Sequence, residues 1–209
     1  EQHQAGFDLN GDPGEAMFAL ALYAERTGNS RWMDAAKAIG RRQIRLAAQP
    51  YAIPDHWVMQ ALEVLDRNDD SPDAPWKAAA YDMGRKYSRE LLPVHRSPFP
   101  DYRGSYRREQ EVPRTTRAAA RGEAIGAVLR IAQRHGDPVD EWSGAVQAGA
   151  RHLVEQMWNA DNSFFLVDPE EARGAVRMGI IDTHCRIDNN QHAIVALGNA
   201  LADYPKDGP

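Results

Sequence analysis

One cysteine, Cys185, in 209 residues leaves no partner for an internal disulfide. A disulfide scaffold is therefore excluded, and cysteine usage does not reveal the redox compartment. No stretch approaches the ~18 consecutive apolar residues that a membrane helix requires, and no charged-then-apolar leader is present. A basic excess is missing as well. The formal net charge of -5 argues against a general nucleic-acid surface, and the arginines at Arg41, Arg42 and Arg45 and at Arg103, Arg107 and Arg108 read as solvated helix or loop positions. With 43% hydrophobic residues, 16 Gly and 13 Pro, neither disorder nor a collagen-like repeat fits, and the length suits one domain, 1–209. The chain opens on Glu1 rather than Met, so either a processed chain or a fragment of a longer protein is the expectation.

What is present is helical punctuation. Pro13–Thr27 carries apolar residues at helical spacing, with Pro13 in the first turn and Gly28 as the stop. A second helix, capped by Ser30, runs to Ala48 and pairs with the first as an antiparallel hairpin. Pro54–Arg67 with Pro75–Leu92 predicts a second hairpin, and Thr115–His135 with Val139–Trp158 a third. Asn189–Tyr204 adds a seventh helix without a partner. Only Ser163–Val167 has the look of a strand.

An internal repeat organises these helices. Gly14-Glu15-Ala16 recurs as Gly122-Glu123-Ala124, and in that register Ala19, Ala24, Arg26 and Gly28 meet Ala127, Ala132, Arg134 and Gly136. The helices holding Gln60-Ala61-Leu62 and Val195-Ala196-Leu197 share the frame more loosely. The first, third, fifth and seventh helices are rich in small residues and apolar on more than one face. The other three carry more charge. A helix apolar over much of its circumference is buried, so the odd helices are expected to form an inner layer and the even ones an outer layer. The predicted fold is all-α, an incomplete α/α toroid of antiparallel hairpins.

The longest loops, Pro93–Arg114 and Asn159–Asp188, precede inner helices, and loops of that length are usually functional. At the inner-helix starts stand Glu15, Asp55, His56 and Trp57, then Arg117 on the third, with Glu123 two turns further in, then Arg186, Asp188, Gln191 and His192 on the last. Carboxylates and imidazoles serve proton transfer, an indole stacks on a sugar ring, and amides and guanidinium groups bind hydroxyls. Tyr102 and Arg103 in the long loop extend this set as sugar contacts. Asp55, Thr115 and Asp188 have a competing role as helix caps. His184 and Cys185 match no strong zinc spacing, so neither a metal nor another cofactor is expected. Asn68–Asp73 reads as a turn.

The patterns Pro-Gly-Glu-Ala-x-x-Ala-Leu-x-x-Tyr-x-x-x-Thr-Gly-Asn-x-Arg-Trp-x-x-Ala-Ala at 13–36, Pro-Asp-His-Trp-x-x-Gln-Ala-Leu at 54–62, Thr-Thr-Arg-x-x-x-x-Gly-Glu-Ala at 115–124 and Arg-Ile-Asp-x-x-Gln-His-x-x-x-Ala-Leu at 186–197 resemble the six-hairpin glycosidase-like (α/α toroid) superfamily. The resemblance implies a carbohydrate-active domain of hydrolase or epimerase class, with a glycan or sugar as its partner and catalytic groups drawn from Glu15, Asp55, His56, Glu123, Asp188 and His192. It does not select one reaction. A non-catalytic helical-repeat binding module, or one part of a larger enzyme, is the alternative expectation. Seven helices fall short of a closed toroid, so self-association or a further chain segment would be needed to complete it.

Overall fold

The computed structural model describes residues 12–49, 52–92, 97, 99–106 and 112–203. Its long helices are α1 (Asp12–Thr27), α2 (Ser30–Ala47), α3 (His56–Arg67), α4 (Trp76–Glu90), α5 (Thr115–His135), α6 (Asp140–Glu155) and α8 (Ile187–Asp203). A 3-10 turn, Pro100–Tyr102, and a four-residue helix α7, Pro169–Ala172, lie in the loops. The fold is all-α, as the punctuation predicts. Among the described residues no helix is long and apolar enough to cross a membrane.

The helix ends follow local chemistry. Gly28 and Gly136 close α1 and α5 in the left-handed region, at φ 68° and 67°, which a residue with a Cβ adopts only at a cost. The α2 cap is Asn29 rather than Ser30, its side chain accepting from Arg31 N at 3.1 Å. Asp55 caps α3, accepting from Trp57 N at 2.8 Å. Thr115 is not a cap: it lies inside α5, and its backbone N–H donates to Met178 O at 2.9 Å. Ser163–Val167 is not a strand. It forms turns and bends with Phe164, Phe165 and Val167 exposed, and Phe165 sets its ring edge-on to Trp158, 5.7 Å between centroids.

Contacts divide the chain into two compact units, each described by itself, with α5 running from one into the other. The first comprises the residues up to Arg89 together with Ala127–Val139. Within it α1 and α3 run parallel: Gly14 lies against Asp55 and Val58 at their starts, and Glu25 bonds Arg67 and Asn68 at their ends. α2 runs antiparallel to α1, with Gly40 on Met17 and Trp32 on Tyr23. The end of α5 continues the parallel series beside α3. There Glu63, 3% exposed, is paired with Arg67 and Arg134, and Asp66 with Arg134 and His135. Every residue of α3 from Val58 to Leu65 is buried, in keeping with its composition of small and apolar residues. The 68–73 segment is a turn: Asp69 accepts from Trp76 Nε1 at 2.9 Å and pairs with Lys37.

The second unit comprises Glu90–Gly126 and the residues from Asp140 onward. α5 and α8 run parallel in it, with Thr116 meeting Asn189, Gly122 meeting Ala196 and Gly126 meeting Asn199. Two glycines four residues apart on one face let these helices approach closely. A Cβ at Gly122 would lie 2.9 Å from that of Ala196. α6 runs antiparallel to α8, joined by Ser143 to Asp203 and by Gln147 Nε2 to Ala200 O at 3.0 Å. The loop segment 99–106 docks on α6 through Gly104, φ 77°, where a Cβ would fall 2.0 Å from Ala148 O. The 157–186 loop is stitched by Trp158 N to Ala175 O, Gly174 N to Trp158 O and Met178 N to His184 O, with Arg177 over the Trp158 ring at 4.9 Å.

Candidate functional site

The parallel packing of α5 on α8 sets the most distinctive polar pair of the second unit. Glu123, two turns into α5, is 2% exposed, and its Oε1 lies 3.1 Å from Nδ1 of His192, in the second turn of α8. The small residues Gly122 and Ala196 beside them keep the two helices close enough for that contact. A buried carboxylate is tolerated when it is paired and hydrogen-bonded. With Glu123 ionised, the imidazole must present Nδ1–H toward it, either as that neutral tautomer or as the imidazolium. Nε2 is then the nitrogen through which His192 takes up and releases a proton.

Above this pair, at the helix starts, Thr116 Oγ1 donates to Asn189 Oδ1. Asn189 Nδ2 and Thr115 Oγ1 are buried with no hydrogen-bond partner among the described residues, a costly arrangement for two polar groups. A cavity of about 370 Å³ opens beside the first residue of α5, between Val112–Arg114 and Met178–Asp182.

The other sequence-predicted residues are placed as follows. In the second unit Asp188 lies in the first turn of α8, inside the helix rather than at the residue before it, and pairs with Arg186 at 2.9 Å. Arg186 and Gln191 are exposed and Arg117 is half-buried. Tyr102 packs on Phe99, 5.0 Å between ring centroids, and Arg103 has its Nε buried. This stretch of the long loop is therefore docked rather than free, while Arg107 and Arg108 lie outside the described residues. Cys185 is exposed, and His184 pairs with Asp182 at 2.8 Å. In the first unit Asp55 caps its helix, with its Oδ1 3.5 Å from His56 Nδ1. The His56 ring lies on Trp57, 4.8 Å between centroids, and Phe18 contacts Trp57 at 6.0 Å. Glu15 is exposed, unlike its repeat counterpart Glu123.

Three buried polar clusters escaped the sequence reading. Arg121 pairs with Glu90 and lies over the Tyr106 ring at 5.6 Å. Tyr106 is fully buried, its hydroxyl lacks a partner among the described residues, and burial pushes its pKa up. Glu63 gathers the arginines already described. His152 is fully buried in α6, with the Asp101 backbone near its ring. A signal for His152 was available: it continues the inward face of Trp142, Ala145 and Gly149 at helical spacing. Comparison with known proteins finds no matching family model, no similar curated protein and no similar solved structure.

Proposed function

We propose that this chain is a carbohydrate-active α/α-toroid domain and that the Glu123–His192 pair carries its proton transfer. The observation that supports this most directly is the buried carboxylate 3.1 Å from the imidazole. Parallel packing of alternate helices with an antiparallel helix between them, found in each unit, is in keeping with toroid hairpins. Hydrolysis of a glycosidic bond calls for two carboxylates about 5 Å or 6.5–9.5 Å apart. Asp55 is engaged as a cap, Asp188 with Arg186, and Glu15 is exposed in the first unit, whereas the group standing on the buried Glu123 is an imidazole, which favours the epimerase branch over the hydrolase branch.

In that chemistry His192 Nε2 removes a proton from a carbon beside a sugar carbonyl or carboxylate. The C–H electron pair becomes part of an enolate, and the imidazolium is held by Glu123. Return of that proton to the same face regenerates the sugar and neutral His192, whereas protonation of the opposite face by a water molecule gives the epimer and a hydroxide, which takes the proton from the imidazolium. The test is incubation in heavy water with reducing sugars, uronic acids and their oligomers, followed by proton NMR at the carbon beside the carbonyl or carboxylate. Exchange or epimer formation is expected, slowed about 10²–10⁴-fold in His192→Ala. No exchange with any sugar, or exchange unchanged in a folded His192→Ala variant, removes the proposal.

A further inference from the structure

The face of α8 turned away from α5 and α6 is open. Ile187, Ile194 and Leu201 recur at seven-residue intervals and are 89%, 71% and 77% exposed, with Val195 at 40%. Gln191, Gly198 and Ala202 complete the same face, all exposed, and none of the seven is charged. Single exposed apolar residues are ordinary, but a continuous stripe along a whole helix marks a binding surface.

The repeat identifies what such a face receives. In the register that aligns Gln60-Ala61-Leu62 with Val195-Ala196-Leu197, the α8 residues Ile194, Gly198 and Leu201 occupy the places of Met59, Glu63 and Asp66 in α3. Those α3 residues include the ones that receive the next parallel helix, since Glu63 and Asp66 meet Arg130, Arg134 and His135 of α5. The complementary face is open on α1. By the Gly14/Gly122 register, Leu22, Tyr23 and Arg26 of α1 stand where α5 has Arg130, Ile131 and Arg134. Leu22 and Tyr23 are 38% and 54% exposed, and Ala19 and Arg26 are also exposed. At the Glu63–Arg130 position the chemistry has changed on both sides; at the Asp66–Arg134 position it has changed on α8 alone, where Leu201 stands for the aspartate and Arg26 keeps the arginine. Where Glu63 meets Arg130 in the observed pair, Gly198 would meet Leu22, so a salt bridge is replaced by an aliphatic side chain over a glycine.

We infer that α8 is a docking surface for α1 of a second copy of this chain, packed parallel as α5 packs on α3. The two faces differ, so the contact is heterologous: it either closes into a ring or continues from copy to copy. The tail of the α8 stripe accommodates the aliphatic stem of Arg26 beside Leu201.

Sedimentation equilibrium of the purified chain in reducing buffer tests this. Mass above the monomer, rising with concentration, is expected. Ile194→Glu/Leu201→Glu and Leu22→Glu/Tyr23→Glu each replace exposed side chains, so circular dichroism should be unchanged, and each double variant should be monomeric. Each retains one intact face, so mixing the two should restore a two-chain species, weaker than wild type. A wild-type chain that stays monomeric at every concentration overturns the inference. So does continued self-association of the Leu22→Glu/Tyr23→Glu variant, which would place α8 against itself, or failure of the mixture to associate.

Discussion

His152 shows what a single residue can impose. It is fully buried, and burial pushes its pKa from the ordinary 6.5 down to about 4, against the opposing pull of the Asp101 backbone and helped by the charge of Arg177. Only the unfolded chain binds a proton between those values. Stability is therefore level above about pH 6.5 and falls as pH drops toward 4, by about 3 kcal/mol in all. Urea unfolding across this range should show the loss, and His152→Leu should shrink it. A second residue-scale expectation concerns Gly104, which combines positive φ with a close approach to the Ala148 carbonyl. Gly104→Ala meets backbone rather than a movable side chain and should cost at least about 2 kcal/mol, read as a lowered midpoint in the same titration.

At the scale of elements, helix positions were legible because periodicity and stop signals agree. α1 and α5 were located nearly to the residue by Pro13, Gly28 and Gly136. Their pairing was legible only as a repeat. The Gly14/Gly122 identity becomes intelligible once each glycine is seen against the following parallel helix, on Asp55 and Val58 in one case and Ala196 in the other. Glu123 and His192 were both selected from sequence, yet nothing in the spacing joined residues 69 positions apart. That contact depends on helix-to-helix approach, which is set by small residues whose depth the sequence leaves open. Ser163–Val167 misled because an apolar run of five signals burial in a strand, whereas here Phe165 rests on Trp158 and its neighbours face outward. Glu15 and Glu123 share a repeat position but not an environment, since the first lies at a helix start and the second in the middle of a longer helix.

At the scale of the whole molecule, α5 contributes its first part to one compact unit and its last part to the other. A helix gains its stability from packing more than from propensity, so melting either unit strips packing from a helix the other one uses. Scanning calorimetry should record one cooperative transition, and two resolved peaks would show that the units unfold independently.

Cys185 is exposed and lies two residues before Ile187, the first of the outward apolar side chains of α8. Its exposed thiol is a point of attachment for a label beside that stripe. A fluorophore attached to it would sit beside the apolar face of α8, and its emission should shift with protein concentration as a second copy covers that face.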